Sequence, residues 1–284
     1  MKTKFRLILV CCIIACPSLV FSQAAKPKAE IKYGENAAAG KYLNARGFKM
    51  YYEIYGKGEP LLLIHGNGGS ISSMANQIPY FSRYFKVIVA DSRAQGKSTD
   101  IKDSISYEMM TDDYNALLDS LHLDSAYVIG WSDGGNNGLL LAIRHPEKVK
   151  KLAVTGANLR PDTTAVITEG FTFISAFKES LQKEKQDENT KNTHKLLHLM
   201  EAEPNISTTL LHKIQCPALV ISGDHDVIKP SHSIEIYENI QQAYLWILPA
   251  SGHGTCVVYK DEFNKKVHDF FKMPYRKINW IDWE

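Results

Sequence analysis

Residues 130 to 135 read GWSDGG, with glycines two residues before and two residues after a serine that a carboxylate follows at once. A serine hydroxyl is a weak nucleophile near neutral pH. Chemistry at Ser132 therefore requires a histidine to take its proton and a carboxylate to orient that histidine. Gly130, Ser132 and Gly134 form G-x-S-x-G, the pattern of a nucleophile elbow. Its serine is held in a strained, positive-φ backbone, and strand and helix approach so closely that the flanking positions must lack side chains. The string alone is common by chance. Here the apolar run SAYVIGW precedes it and a helical stretch follows, which is the strand-turn-helix setting the motif needs.

Partners for Ser132 are sought in the chain order of such elbows, serine then acid then histidine. Of the ten histidines, His232, His253 and His268 follow the acid-bearing loop GDHDVIKP, residues 223 to 230. His232 falls just inside a helix after Pro230 and His268 lies on the amphipathic final helix, positions that read as surface or interface. His253, in ASGHGT directly after the run AYLWILP, lies where the carboxyl end of a strand opens into a loop, and is the expected base. Asp226 is the expected acid, with Pro230 starting the next helix. Asp224, beside Gly223, reads as a turn residue bonding nearby amides. Acyl transfer also needs donors for a developing oxyanion, and IHGNGGS, residues 64 to 70, follows a strand and is rich enough in glycine to turn its amides inward. The expected pair is the amides of Asn67 and Asp133. A flexible loop or a phosphate cradle is the competing reading of HGNGG, but the Lys and Ser/Thr of a P-loop are missing. His65 reads as structural.

Positioning these groups falls to an alternation of strands and helices. Strands are expected at 49–56, 60–66, 85–91, 125–131, 150–156, 217–223 and 243–249, the later ones short Val/Ile/Leu runs suited to parallel strands buried on both faces. Helices are expected near 71–83, 107–122, 135–145, 231–241 and 260–272. The order implies an α/β fold, an open and mostly parallel sheet covered on both faces, with ligands bound where loops leave the carboxyl ends of strands. Residues 160 to 213 break the alternation with helical segments around FTFISAFKESLQKEK and THKLLHLMEAE, and read as a small helical cap inserted between two core strands.

A chain of 284 residues with 44% hydrophobic and 23% charged content suits one globular core. The N-terminus, MKTKFRLILVCCIIACPSLVFSQ, has three basic residues, an apolar run to Phe21 and small residues at 20 and 22. This is the layout of a secretory signal cut before Gln23, which implies a secreted or periplasmic protein. The competing reading takes Ile13 to Cys16 as a lipobox with Cys16 lipidated, although the apolar PSLVF that follows is unlike a polar tether. A retained membrane span is disfavoured by Pro17 and by a run shorter than the ~20 residues a span needs. Lys and Arg number 33 against 31 Asp and Glu, and removal of Lys2, Lys4 and Arg6 leaves 30 against 31. That balance offers no footprint for nucleic acid or anionic membrane. Cys216 and Cys256 alone remain beyond the signal, as one bridge or as two small buried hydrophobes. The organisation expected is signal 1–22, linker 23–40, core 41–159, cap 160–213, core 214–273 and tail 274–284.

The constellation resembles the α/β-hydrolase family from about residue 40 to 273. The resemblance is carried, in family order, by HGNGG at 65–69, DSRAQGKS at 91–98, GWSDGG at 130–135, GDHDVIKP at 223–230 and SGHG at 251–254. DSRAQGKS departs from the commoner D-x-R-G-x-G-x-S by placing Ala94 where glycine is usual, in a segment that supports the site without performing chemistry. GWSDGG, the following LLLAIRHPEKVKKLAVTGAN and the C-terminal DEFNKKVHDFF resemble the valacyclovir hydrolase (biphenyl hydrolase-like) subgroup, which cleaves esters of α-amino acids. That resemblance implies a cofactor-free serine hydrolase of a small-molecule ester, acting through an acyl-enzyme.

Asp133 bears on the substrate. A carboxylate ~6 Å from the oxyanion would repel it by about 3 kcal/mol at an effective dielectric of ~20, on the order of 100-fold in rate. A substrate α-ammonium held by Asp133 would offset that cost. Alternatively Asp133 points away, bonds loop amides or a buried Arg such as Arg93, and contributes only its N–H. Phe171, Phe173 and Phe177 of the cap would line an acyl pocket, although their spacing reads first as helix core. An epoxide hydrolase or dehalogenase of the same fold would want an acid at the nucleophile position, and Ser132 argues against both. Thioesterases, perhydrolases and carbon-carbon bond hydrolases share the same three groups, and a ligand-binding protein on a hydrolase scaffold is the reading from outside enzymology.

Overall fold

The computed structural model describes residues 31–100, 102, 104–185 and 187–281. The expected signal segment and Cys16 lie outside the described residues, as do the last three residues of the tail.

Eight strands form one sheet: β1 Gly40–Ala45, β2 Phe48–Tyr55, β3 Pro60–Ile64, β4 Lys86–Ala90, β5 Ala126–Trp131, β6 Val149–Thr155, β7 Ala218–Gly223 and β8 Ala243–Leu248. Their spatial order is β1-β2-β4-β3-β5-β6-β7-β8. β2 runs antiparallel to β1 and β4, and all remaining pairs are parallel. The apolar runs of β3, β4 and β7 are buried on both faces, where successive side chains alternate, whereas β8, expected to be buried likewise, is the edge strand and is half-buried from Ala243 to Ile247. Leu61 and Leu63 of β3 enter one core while Leu62 and Ile64 enter the other.

One face is covered by α2 (Tyr107–Ser120), α3 (Asp133–Arg144) and α7 (Pro230–Glu238), the other by α1 (Ile78–Phe81) and α9 (Lys260–Lys272). Between β6 and β7 come α4 (Thr168–Leu181), α5 (Glu188–Ala202) and the short α6 (Thr208–Leu211). A further short helix, α8 (Thr255–Val258), follows the His253 loop. Among the described residues no helix is long and apolar enough to cross a membrane.

Three expectations are corrected. The hairpin strand β1 was not foreseen. The single helix expected over 71–83 is a 3-10 turn, Ile71–Met74, followed by the four-residue α1, with Pro79 at the start of the latter where it lacks an N–H to continue a ladder. Phe173 and Phe177 are not helix core: they are 69% and 39% exposed, and Leu181 is the buried residue of α4. Cys216 and Cys256 are free and buried, and burial pushes both thiols up to about 12.

Candidate active site

Ser132 caps α3 at the end of β5 with φ 58° and ψ −122°, outside the regions an L-residue prefers. The flanking glycines are required by distance. A Cβ on Gly130 would lie 2.1 Å from the carbonyl oxygen of Gly134, and one on Gly134 would lie 2.1 Å from that of Ile64. The Ser132 N–H donates to the Thr155 carbonyl at 2.9 Å, which holds the bend against the end of β6.

The three groups expected from the sequence come together. His253 Nε2 lies 2.8 Å from Ser132 Oγ, and His253 Nδ1 lies 2.7 Å from Asp226 Oδ1. Asp226 is 3% exposed and its Oδ1 also accepts from the Ile228 N–H at 3.0 Å, which fixes the carboxylate. Asp224 is a turn residue that bonds backbone amides, as expected, and the amides include two on a different loop. It reaches across to accept from the amides of Ala250 and Ser251, both at 3.0 Å, and so steadies the approach to His253. His232, read from the sequence as a surface or interface residue, is fully buried: its Nε2 accepts from the Leu159 N–H at 2.9 Å and its Nδ1 lies 3.0 Å from Glu235. His268 is half-buried and stacks on Tyr84 with ring centroids 4.3 Å apart. His65 is buried, accepts from the Ser92 N–H through Nε2 at 3.0 Å, and is held below the usual imidazole range first by that burial.

Asn67 and Asp133 flank Ser132. The Asp133 amide is the first of α3, among the helix N–H groups that have no partner within the helix. Asn67 follows Gly66, where a Cβ would meet Ser132 Cβ at 3.1 Å. The Asn67 carboxamide donates to Asp133 Oδ2 at 2.8 Å and to the Leu196 carbonyl at 3.2 Å, pinning its loop to both the elbow and α5. Asp133 does not pair with Arg93 and is buried, 4% exposed. Arg93 is engaged by Asp113 at 2.7 Å and Asp100 at 3.4 Å, whereas Asp133 lines the cavity with donors from Asn67 and the Tyr107 hydroxyl. Burial pushes its carboxyl above the usual range, and those two donors offset part of the effect.

The serine opens into a cavity of about 790 Å³, within the size range of small-molecule sites. Phe171, Phe173, Ile174 and Phe177 of α4 and Leu196, Leu197 and Met200 of α5 form its apolar walls. Asp133 and Glu203 are the acidic residues of its described lining, and none of that lining is Lys or Arg. Glu203 accepts from the Tyr107 N–H at 2.9 Å, and burial raises its carboxyl.

Sequence reasoning missed four contributors. Tyr107 and Glu203 sit on separate elements whose meeting no local pattern announces. Trp131 occupies the unspecified position of G-x-S-x-G, and its indole N–H donates to the His253 carbonyl at 2.9 Å. Gly156, at φ +64°, stands where a Cβ would lie 2.7 Å from His253 Cε1; its signal in the sequence was a glycine directly after the last residue of β6, Thr155.

Residues 59–177 match the family model described as alpha/beta hydrolase fold. The serine hydrolase BPHL of Homo sapiens is 26% identical over 260 residues, spanning 84% of this chain and 88% of the relative. RutD of Caulobacter sp. (strain K31), named provisionally as a carbamate hydrolase, is 30% identical over 254 residues, spanning 78% of this chain and 95% of the relative. Among solved structures, the enol-lactonase from Burkholderia xenovorans LB400 superposes with a TM-score of 0.68 at 25% identity, over 82% of this chain and all of that one. On fold, motif order and these likenesses together, the chain belongs to the α/β-hydrolase family.

Proposed function

We propose that this hydrolase cleaves a carboxylic ester of a small molecule through an acyl-enzyme, with Ser132 as nucleophile, His253 as base and Asp226 as the group that orients His253. The observation that carries the reading is the unbroken hydrogen-bond chain from Ser132 Oγ through both ring nitrogens of His253 to Asp226, at 2.8 and 2.7 Å. A donor Nδ1–H facing Asp226 leaves Nε2 free to accept the hydroxyl proton as Oγ attacks the ester carbon. The imidazolium then gives that proton to the leaving oxygen. Water, deprotonated by the same nitrogen, releases the acyl group. The amides of Asn67 and Asp133 receive the oxyanion in both halves, the term that mutation of one donor commonly reduces by about 10²–10³.

The substrate is neutral or cationic in this reading. Two carboxyl groups with no Lys or Arg among the described lining residues disfavour a substrate carboxylate. Asp133 has donors from Asn67 and Tyr107 and still retains lone pairs for an α-ammonium, because a carboxylate accepts at about four sites. An α-amino acid ester therefore fits. The comparison that tests it is an amino acid aryl ester against its N-acetyl counterpart, with wild type and D133N. The free amine is expected to be the better substrate by ten-fold or more in kcat/KM, a preference D133N erases. Equal turnover of the two esters by wild type removes the ammonium from the proposal.

A further inference from the structure

Two hydrogen bonds outside the Ser132–His253–Asp226 chain join the loop bearing His253 to the ends of β5, which leads into Ser132, and of its neighbour β6. Trp131, the last residue of β5, donates its indole N–H to the His253 carbonyl at 2.9 Å. Thr155, the last residue of β6, accepts the Ser132 N–H on its carbonyl at 2.9 Å, and its hydroxyl lies 2.6 Å from that of Thr255. Thr155 and Thr255 are fully buried. Trp131 and Thr155 are also register partners across the parallel β5–β6 pair, so the two contacts form one rung of the sheet.

The rung matters because of what it holds. His253 stands between Gly252 and Gly254, a backbone with little intrinsic preference. On its upstream side the loop is fixed by Asp224 through the amides of Ala250 and Ser251. On its downstream side Trp131 bonds residue 253 and Thr155 bonds residue 255, next to the first turn of α8, where the Val257 and Val258 amides donate to the Gly254 carbonyl and the Gln77 carboxamide donates to that of Cys256. A base must stay within about 2.6–3.2 Å of the proton it takes, a tolerance that a free glycine-flanked loop does not provide.

We infer that Trp131 and Thr155 are positioning residues, which transfer the register of the β5–β6 pair to the imidazole and so make the Ser132–His253 distance a property of the sheet. Neither touches the reacting atoms through the group concerned, and the inference rests on Ser132 being the nucleophile. One neutral hydrogen bond is worth about 1 kcal/mol net, which corresponds to about five-fold in rate if it is spent on alignment.

The experiment uses the full chain, a fluorophosphonate probe and an aryl ester. The probe reports the reactivity of Ser132 independently of substrate recognition. W131F keeps the ring and loses the donor; T155V keeps the shape and loses the hydroxyl; T155S keeps the hydroxyl. W131F and T155V are expected to lower the labelling rate and kcat by five- to ten-fold with KM within two-fold, while T155S labels at the wild-type rate. T155V also strands the Thr255 hydroxyl in the core, so T155V/T255V is the decisive variant. Removing both hydroxyls leaves nothing unsatisfied and restores the melting temperature, but the labelling rate stays low. Recovery of rate together with melting temperature, or wild-type labelling by W131F and T155V, overturns the inference while Ser132 stands as nucleophile. A wild-type protein that the probe does not label overturns the nucleophile and the inference together.

Discussion

Replacing Gly156 by alanine isolates the geometry of the imidazole from the chemistry of the three groups, because Gly156 contributes no atom to either hydrogen bond. A Cβ there would lie 2.7 Å from His253 Cε1, 2.9 Å from Nδ1 and 3.5 Å from Asp226 Oδ2. Carbon atoms pack at about 3.5 Å, so the ring must retreat by about 0.8 Å, from 2.7 Å to 3.5 Å. Taken up at one bond, that displacement stretches the 2.7 Å contact with Asp226 or the 2.8 Å contact with Ser132 to about 3.5 Å, beyond hydrogen-bond length. A misplacement on the order of 1 Å costs about 10²-fold in rate. The backbone at φ +64° adds about 1–2 kcal/mol of strain for a residue with a Cβ. G156A is therefore expected to fold, to melt a few degrees lower, and to lose about two orders of magnitude in kcat/KM. Steady-state kinetics on an aryl ester beside a thermal melt separates the two effects. Near-wild-type turnover, or a loss that vanishes once the unfolded fraction is accounted for, would refute the argument that steric access at this glycine sets the imidazole's position.

Two further predictions concern the scaffold. Glu53 is fully buried and accepts from the Tyr51 and Tyr55 hydroxyls at 2.7 and 2.6 Å and from the amides of Gly34 and Asn36 at 2.9 and 3.0 Å. E53Q turns one acceptor oxygen into a donor facing donors, and is expected to cost about 3 kcal/mol, roughly 6 to 12 °C in melting temperature, with kcat retained by the folded fraction. A melt within 2 °C of wild type contradicts this. His65 is held below its usual range by burial, while the unfolded chain titrates near 6.5. Below that pH the unfolded state binds a proton that the folded state resists, so stability contributed by neutral His65 is complete above about 6.5 and is lost as pH falls toward the lower folded value. Melting temperature measured from pH 7.5 to 5 is expected to fall less steeply in H65Q than in wild type; equal slopes assign the acid sensitivity elsewhere.

The parts of this molecule legible from sequence are those where one local pattern answers one physical demand. The runs in β3, β4 and β7 are continuous because both faces are buried, and the glycines around Ser132 are dictated by approaches of 2.1 Å. β1 was hidden because its hairpin turn is built from Arg46 at φ 53° and Gly47 at φ 83°. Both signs are positive, as a two-residue hairpin turn requires, but arginine is not the residue that advertises it. Ala94 takes φ 63° where the family motif has glycine, so the departure changes the residue and leaves the backbone as the motif would have it. The Phe residues of α4 misled because helical spacing marks an apolar face without saying whether a core or a cavity lies beneath it. His232 misled for the opposite reason: a polar side chain near a helix start reads as exposed, and the Leu159 amide that pairs with it lies 73 residues away in sequence. Glu203, 70 residues from Asp133, joins the same cavity only through the fold.

Mass mapping of a fluorophosphonate adduct addresses the nucleophile without any assumption about substrate. The prediction is a single phosphonylated residue, Ser132, formed at a rate that falls at least a hundred-fold in H253A and is absent in S132A. An intact, folded protein that takes up no phosphonyl group, or carries it on a different side chain, would contradict the assignment.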